Sequence, residues 1–498
     1  EMTSSLVGSE MCIRDRKKTY IDTAMERIAP DLILKGGNVV DVFSGRVIKA
    51  DVIIKDGIIC GVGSYSGENE QDVSGKYIMP GFIDSHVHIE SSMTQPSEYA
   101  KAVMPHGITT VIADPHEITN VCGEDGLEFM LKSAKNIPLD VNLMLPSCVP
   151  ATPFEHTGAN LDAKTTQKLA PKFFGIGEMM NYPGIVSGDD ETLGKLCLDI
   201  IDGHAPLLSG HELDAYASAG IKTDHECSVV EEMTEKISKG MYILLREGTL
   251  SLDVAKLIKG VTPYTLRRCA FCTDDRFVGE IIRDGSIDHC IKKAVSLGLN
   301  NIDAIIMATL NACEIYGMKN KGAIAPSYIA DIVVADDLNL SSISQVYKNG
   351  KLVCENGKAL FECETVDNSK VTNTVHLPKI SADFFKTDVK DKFDAIELIP
   401  ESIITKKVTV SYSDSLSKVC VIERHHNLGT KGIGFVTNYG ITNGAIATSI
   451  GHDSHNVIVI GDNDSDMALA VNTLGTSGGI AVCSEGKVIA SMTLDIAC

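Results

Sequence analysis

Two histidines separated by one residue, His86 and His88, end an apolar run in residues 80–90, which read PGFIDSHVHIE. Successive side chains of a β-strand point to opposite faces, so the two imidazoles share one face of the predicted strand. Imidazole nitrogens are common ligands of zinc, manganese and iron. The pair therefore predicts a divalent metal ion at the end of a strand.

Later apolar runs are followed by four more residues that suit such a metal ion. The complete set of candidate ligands is His86, His88, Glu178, His204, His225 and Asp274. These nitrogen and oxygen ligands, without a thiolate, favour Zn, Mn or Fe(II) over Ca or a closed structural zinc site. Because one carboxylate can bridge two ions, the set is large enough for a binuclear site.

A metal site of this kind predicts a hydrolytic reaction, because a metal ion lowers the pKa of its bound water toward neutrality. A carboxylate beside that water takes its proton and passes it to a leaving group, so that one residue acts as general base and general acid. Asp274 is the residue that we assign to this role.

The elements that must position these residues are short apolar strands alternating with amphipathic helical stretches between residues 80 and 318. The eight candidate strands are GFIDSHVHI, GITTVIADP, LDVNLMLPS, FFGIGEMM, LCLDIIDGH, AGIKTDHE, GMYILLREG and RRCAFCTDD. Eight such alternations over roughly 240 residues predict an α/β fold, a (β/α)8 TIM-type barrel, whose active-site groups lie at the C-terminal ends of the strands. The candidate ligands follow their strands as this architecture requires.

Two stretches that flank the barrel, residues 17–79 and 319–370, predict one composite β-sandwich domain, because both contain β-branched runs separated by Gly and Asp. Residues 371–498 carry new strand signals and many glycines, and predict a C-terminal α+β domain. That domain is expected to be incomplete, since the sequence stops directly after a strand-helix transition. Residues 1–16 have no periodicity and are interpreted as a leader of foreign origin.

Composition narrows the class of function. A formal net charge of −21 disfavours nucleic-acid partners and favours a neutral or cationic small molecule. No apolar run reaches the roughly 18 to 20 residues of a membrane span. Fifteen cysteines without framework spacing fit reduced thiols in the cytoplasm, and Cys269 and Cys272 predict buried strand thiols rather than a zinc or redox pair. A homo-oligomer is expected for a barrel enzyme of this type.

Several other polar residues near the predicted strand ends are weaker indications of a functional role. Asp275 follows Asp274 on the same strand and points the other way, which predicts a loop contact rather than a ligand. For His116 and Glu117, a substrate or extra metal contact and surface hydrogen bonding are both open. Arg246 either contacts the substrate or pairs with a carboxylate.

The C-terminal region contains further histidines. For His452, Asp453 and His455, in the segment GHDSHN, turn capping and domain contacts are favoured over metal binding, and His425 and His426 lie in the same region. The acidic GDNDSDM segment lacks the sixth-position glycine and twelfth-position glutamate of an EF-hand loop, so that type of calcium site is excluded.

Seven strand-end segments together resemble one family: PGFIDSHVHIE, ADPHEITNV, GIGEMMNYPG, DGHAP, GIKTDHE, LLREG and FCTDDR. They resemble the amidohydrolase superfamily and, within it, the bacterial adenine deaminases. The resemblance extends from Asp31 to the end of the chain and includes GAIAPSYIADIVVADD, HDSHN and GDNDSDM. Many members of the superfamily carry a carboxylated lysine on the fourth strand, whereas Glu178 stands here, as is typical of the adenine deaminase branch.

The resemblance implies hydrolysis of adenine to hypoxanthine and ammonia, with two ions of Mn(II) or Fe(II), Zn being a further option. Hydroxide would attack C6 of the purine and Asp274 would accept its proton. A proton must also reach N1, for which Glu117 and Glu247 are candidate donors. The implied ligands of one ion are His86, His88, Glu178 and Asp274, and those of the other are Glu178, His204 and His225.

Two alternatives stay open. One keeps the barrel and metals but opens a cyclic amide, as the dihydroorotase and hydantoinase relatives do; the absence of a lysine on the fourth strand argues against it. The other is a metal-binding protein without turnover, in which a shortened C-terminal region leaves the site open.

Overall fold

The computed structural model of the chain describes residues 2–388, 391–399, 405–411 and 416–497. The chain begins with helix α1 (Met2–Ala24), which includes most of the segment interpreted as a leader and was not predicted. Five strands follow: β1 (Leu32–Asp41), β2 (Arg46–Lys55), β3 (Ile58–Gly63), β4 (Glu70–Asp72) and β5 (Tyr77–Pro80). Tyr20 of α1 packs against Ile33 and Ile53, so the end of the helix is attached to these strands.

The central part of the chain is the predicted barrel, and each of the eight predicted runs contains a strand. The strands are β6 (Phe82–Val87), β7 (Ile108–Ala113), β8 (Asp140–Leu145), β9 (Gly175–Met179), β10 (Ile201–Gly203), β11 (Thr223–Asp224), β12 (Tyr242–Arg246) and β13 (Cys269–Cys272). Several, such as β7 with the sequence ITTVIA, are buried along their whole length. Such continuous apolar strands are typical of parallel sheets that are covered on both faces.

Helices connect the barrel strands and cover their outer faces. They are α2 (Pro96–Val103), α3 (His116–Ser133), α4 (Ala163–Leu169), α5 (Tyr182–Ser187), α6 (Asp190–Gly194), α7 (Gly210–Ser218), α8 (Val230–Ser238), α9 (Val254–Leu257), α10 (Val278–Asp284), α11 (Ile287–Ser296), α12 (Asn301–Met307) and α13 (Leu310–Ile315). Among the described helices of the chain, none is both long and apolar enough to cross a lipid bilayer.

The barrel closes between its first and last strands. β6 to β10 form one parallel sheet and β11 to β13 another. Val87 and Asp274 form a parallel bridge between β6 and the residues after β13. The amide of His88 donates to the carbonyl of Asp274 at 3.2 Å, and the amide of Asp274 donates to the carbonyl of His86 at 3.0 Å. Closure thus brings the histidine pair beside Asp274, although 186 residues separate His88 from Asp274 in the sequence.

Four strands after the barrel, β14 (Ile332–Ala335), β15 (Ile343–Lys348), β16 (Lys351–Glu355) and β17 (Lys358–Ala359), complete the first sheet. The two flanking stretches share one core, which includes Leu34, Val52, Ile332 and Val334. Their strands form a single hydrogen-bonded sheet of nine strands, rather than two separate sheets, because β5 pairs with β1 on one side and β14 on the other.

The C-terminal unit is an eight-stranded sheet with a helix on one face, in agreement with the predicted α+β fold. Its elements are β18 (Lys392–Leu398), β19 (Thr405–Ser411), β20 (Ser417–Ile422), β21 (Lys431–Thr437), β22 (Gly444–Gly451), β23 (Asn456–Gly461), α14 (Asp464–Thr473), β24 (Gly479–Ser484) and β25 (Lys487–Thr493). The predicted strand runs of this region omit β18 and β22; they are KKVTVSY, KVCVIERH, GIGFVTNYG, NVIVIGDN and GGIAVCSEGKVIASM. Tyr412, which ends the first of these runs, lies outside the described residues. The acidic segment begins α14, where Asn463 caps the helix by accepting from the Asp466 amide at 2.8 Å.

A group of buried charges joins the N-terminal end of the barrel to the first sheet. The carboxylate of Asp331 accepts from Lys321 Nζ at 2.6 Å and from Lys348 Nζ at 2.9 Å. Both lysines also contact Asp140, at the start of β8. The side chain of Asp331 is 4% exposed, whereas that of Asp140 is 42% exposed.

We expect Asp331→Asn to lower the free energy of unfolding by about 3 kcal/mol, because it leaves two buried ammonium groups without their buried partner. Asp140→Asn is the matched control, since it removes a partner of the same two lysines at an exposed position, where the loss is expected to stay below about 1 kcal/mol. Urea unfolding followed by circular dichroism measures both variants. Equal losses, or a larger loss for Asp140→Asn, would contradict this assignment.

Candidate metal centre

All six predicted ligands lie at the C-terminal ends of barrel strands. His86 and Glu178 are the last inward-facing residues of β6 and β9, and the other four follow their strands by one or two residues. Five of the six are buried, the exception being His204, whose side chain is 26% exposed. The barrel thus brings together residues that are spread over almost two hundred positions of the sequence.

The first group of ligand atoms surrounds the histidine pair. His86 Nε2 and His88 Nε2 lie 3.1 Å apart. Asp274 Oδ1 lies 3.5 Å from His86 Nε2 and 3.2 Å from His88 Nε2, and Glu178 Oε1 lies 3.5 Å from His88 Nε2. Four donor atoms therefore face one small volume.

The second group lies on the other side of Glu178. Its Oε2 atom lies 2.7 Å from His204 Nδ1 and 3.1 Å from His225 Nε2. Within each of the sets His86, His88, Glu178 and Glu178, His204, His225, the ligand atoms lie within 4.8 Å of one another. Because Oε1 of Glu178 faces His88 while Oε2 faces His204 and His225, the donor set would fit two ions that share this carboxylate as a ligand.

Polar contacts on the far side of the imidazoles orient the histidine pair. His88 Nδ1 donates to the backbone carbonyl of Asp114 at 2.8 Å. His86 Nδ1 lies 3.5 Å from Asp202 Oδ2, and Asp202 is itself held by the Tyr316 hydroxyl at 2.9 Å. These contacts leave the Nε2 atom of each ring directed into the site, as is usual for metal-binding histidines.

Gly177 allows a close contact that fixes Glu178. The Asp114 carboxylate accepts from the backbone amide of Glu178 at 2.9 Å. A Cβ atom at position 177 would lie 2.1 Å from Asp114 Oδ2, so no side chain fits there. The strand consequently needs glycine immediately before its ligand.

Asp274 has a backbone conformation that aims its two oxygens at different partners. Its φ of +56° lies in the left-handed region, which aspartate and asparagine adopt more readily than most residues. Oδ1 faces the histidine pair, while Oδ2 accepts from Arg246 Nη1 at 2.9 Å. Arg246 also pairs with Glu226 and with Asp253, so of its two predicted roles the structure shows the pairing with carboxylates.

The electrostatics of the site favour a cation. Burial raises the pKa of Asp274, but contacts with His86, His88 and Arg246 hold it well below its usual value. Burial lowers the pKa of His86, yet the carboxylates of Asp202 and Asp274 raise it to about 10. The carboxylates that attract a proton to this ring equally attract a divalent ion.

A cavity of about 780 Å³ opens above these ligands, a size typical of small-molecule sites. Apolar side chains supply part of its wall, including Met93, Met180, Leu207, Phe277 and Ile450. Phe277 follows the last barrel strand, whereas Ile450 belongs to β22, so the wall is built by both the barrel and the C-terminal unit.

The two predicted proton donors lie in different environments, one in the cavity wall and the other outside it. Glu117 lines the cavity, but although burial raises its pKa, the neighbouring His455 and His452 hold it well below its usual value. Glu247 lies outside the lining, where its carboxylate pairs with Lys293 of α11. The donor role of both residues stays a prediction, and the contact of Glu247 with Lys293 outside the lining argues against it for that residue.

His116 and Glu117 are each 2% exposed, so the alternative of surface hydrogen bonding is wrong. His116 Nδ1 lies 3.3 Å from Glu178 Oε1, next to the predicted ligands. Asp275 makes the predicted loop contact, accepting from the Ser91 hydroxyl. The prediction that it points away from Asp274 is wrong, because both residues line the cavity and have ligand atoms within 4.8 Å of each other and of one in His88.

The loop between β22 and β23 is the part of the site that the sequence interpretation missed. His452 Nε2 lies 2.6 Å from Glu117 Oε1, and Asp453 Oδ1 lies 3.3 Å from His116 Nε2. The predicted domain contact exists, but it is made to residues of the cavity and not merely to the barrel surface. The nearby His426 makes a simpler contact, with the carbonyl of Thr157 at 2.9 Å.

Comparison with known proteins gives two family matches that together cover most of the chain. Residues 77–353 match the model described as "Amidohydrolase family", and residues 398–498 match the one described as "Adenine deaminase C-terminal domain".

Similar relatives match along almost the whole chain. A protein of Clostridium acetobutylicum named "Adenine deaminase" is 46% identical over 98% of this chain and 88% of its own length. A protein of Desulfotalea psychrophila named "Adenine deaminase 2" is 44% identical over 97% of this chain and 88% of its own length.

Solved structures are similar in fold at low sequence identity. The crystal structure of an enamidase of the amidohydrolase superfamily has a TM-score of 0.51 and 19% identity, covering 66% of this chain and 97% of that chain. A β-aspartyl dipeptidase from Fervidobacterium islandicum AW-1 has a TM-score of 0.50 and 19% identity, covering 68% of this chain and 99% of that one.

We expect Glu178→Gln to lose about two equivalents of bound metal per chain relative to the wild type, because an amide is a poor bridge between two cations. Glu226→Gln is the matched control. The Glu226 carboxylate lies 3.6 Å from His225 Nε2, but it pairs with Arg246, so this variant is expected to keep its metal. Elemental analysis of the desalted proteins measures the metal content per chain. An unchanged metal content in Glu178→Gln would contradict the bridging role.

Proposed function

Because this chain belongs to the amidohydrolase family, and within it to the adenine deaminases, we propose that it hydrolyses adenine to hypoxanthine and ammonia on a binuclear metal site. The observation that carries the proposal is the Glu178 carboxylate, whose two oxygens face separate groups of imidazoles beneath a cavity. The reaction would serve purine salvage or adenine catabolism.

The six candidate ligands at the C-terminal ends of the barrel strands fit two divalent ions. In the proposal one ion is held by His86, His88, Glu178 and Asp274, and the other by Glu178, His204 and His225. Mn(II) or Fe(II) is proposed, and Zn suits the same ligands. When bound, such ions lower the pKa of water, so that hydroxide is available at neutral pH.

Asp274 is the residue that moves the proton. Arg246 binds its Oδ2 atom, which keeps the carboxylate ionised and able to accept a proton from the attacking water. Asp274 then passes this proton to the exocyclic amino group of adenine.

The reaction balances with adenine and one water as substrates. A bond forms between the water oxygen and C6 of the purine, and the bond from C6 to the amino nitrogen breaks. One proton of the water leaves on ammonia and the other ends on N1 of hypoxanthine. Apolar side chains such as Met93, Leu207 and Phe277 give the cavity surfaces on which a flat purine ring packs.

The cyclic-amide alternative is less well supported than deamination. Glu178 stands on the fourth barrel strand, where the carboxylated lysine of many relatives that open cyclic amides would stand. The relatives of this chain that match along almost its whole length are named adenine deaminases. Turnover of adenine would also exclude a metal-binding protein without activity.

The proposal includes a division of the chain into three domains. These are residues 17–79 with 319–370, residues 80–318 and residues 371–498. A cytoplasmic location is also proposed, because thirteen cysteines of the described residues are free thiols. The homo-oligomeric state stays a prediction, which light scattering during size-exclusion chromatography tests.

We expect the Mn(II)-reconstituted protein to shift the ultraviolet spectrum of adenine to that of hypoxanthine, with release of ammonia. Metal-loaded protein that leaves adenine unchanged would contradict the proposed function. Conversion of dihydroorotate or hydantoin in place of adenine would favour the cyclic-amide alternative.

We expect Asp274→Asn to lower kcat by about 10²- to 10⁴-fold, the contribution typical of a positioned general base. Asparagine tolerates the positive φ at this position, so the backbone is preserved. Glu247→Gln is the matched control, because it changes a carboxylate at the neighbouring strand end that lies outside the cavity. Its kcat is expected within about twofold of the wild type, and equal losses in both variants would remove Asp274 from the proposed role.

A further inference from the structure

Six residues above the inner ligands form a second group of metal-binding side chains, which we name the outer cluster. Its members are His116, Glu117, Asp275, His452, Asp453 and His455. Three come from the barrel, two at the start of α3 and one after β13, and three come from the loop between β22 and β23. The outer cluster therefore lies at the contact between the barrel and the C-terminal unit.

We propose that the outer cluster binds a third divalent ion through His116, Glu117 and His452. One ligand atom from each of these residues can be chosen so that all three lie within 4.8 Å of one another. Atoms bound to one ion at about 2.0 to 2.3 Å lie no more than about 4 to 5 Å apart. Two imidazoles and a carboxylate suit Mn, Fe or Zn rather than Ca.

His116 is the strongest single indication of a missing partner. It is 2% exposed, and neither of its ring nitrogens makes a hydrogen bond. Its nitrogens face carboxylate oxygens of Glu178 and Asp453, each at 3.3 Å. A buried imidazole that makes no hydrogen bond through either nitrogen is a costly arrangement, which a cation bound between it and the neighbouring carboxylates relieves.

The excess of carboxylates in the outer cluster also favours a bound cation. Glu117, Asp275 and Asp453 bring three carboxylates together, and within the described part of the chain no lysine or arginine pairs with any of them. Their only charged neighbours at ion-pair distance are imidazoles. This differs from the nearby Glu226 and Asp253, which both pair with Arg246.

The proposed third ion uses a ligand set separate from that of the inner pair. His452 lies 6.4 Å from His88 between ring centroids, and none of the three proposed outer ligands belongs to the inner set. The inference therefore does not depend on the reaction proposed for the inner pair. Because its ligands come from both units, the third ion would fasten the β22–β23 loop over the cavity.

Native mass spectrometry of the desalted, Mn(II)-reconstituted full chain counts the ions directly. We expect three Mn(II) ions per wild-type chain and two in both His452→Ala and Glu117→Gln. His452 has a side chain that is 41% exposed, so its replacement leaves the core intact, and Glu117→Gln preserves the shape of the residue. His426→Ala is the matched control, since His426 also joins the C-terminal unit to the barrel but contacts a carbonyl, and it is expected to keep three ions.

Two results would overturn the proposal. One is a wild-type chain that binds no more than two ions at saturating Mn(II). The other is a third ion that persists in both His452→Ala and Glu117→Gln, which would place it elsewhere. Glu178→Gln separates this inference from the inner site, because it is expected to lose the inner pair and keep the outer ion.

Discussion

The buried carboxylate of Glu178 is the constraint around which the rest of the molecule is arranged. A carboxylate that is removed from water costs several kcal/mol unless positive charge and hydrogen bonds replace its hydration. Here imidazoles from four other strand ends face its two oxygens, while the Asp114 carboxylate binds its backbone amide. The barrel provides the geometry, since only a closed ring of strands brings so many separate residues to one point.

The same logic extends outward to the C-terminal unit. The inner ligands are connected to charged residues of the C-terminal unit through His116. This imidazole contacts Glu178 on one side and Asp453 of the β22–β23 loop on the other. The cavity wall is likewise shared, with Ile450 and His452 standing among barrel residues. The C-terminal unit is thus part of the site, and the family match to an adenine deaminase C-terminal domain describes a segment with a direct role in the cavity.

Local sequence patterns predict much of the fold and the positions of the candidate inner ligands. Strand length, burial and the position of polar residues directly after apolar runs are all local properties, so the eight barrel strands could be predicted, as could the position of the six candidate ligands at the ends of these strands. The contact between Glu117 and His452 could not, because it joins residues 335 positions apart and depends on how two units pack. Glu247 is different: strand alternation places it on the face opposite Arg246, so its position outside the cavity was accessible from the sequence.

The position of β5 in the first sheet has a consequence for how the chain is made. Its partner β1 precedes it closely, but its other partner, β14, is synthesised about 250 residues later, after the whole barrel. Until then one edge of β5 has no strand beside it, and an unpaired edge is a template for pairing with other chains. The barrel segments are therefore synthesised while the sheet beside them is still open. When β14 pairs with β5, it completes this part of the sheet and covers the edge at which other chains could aggregate.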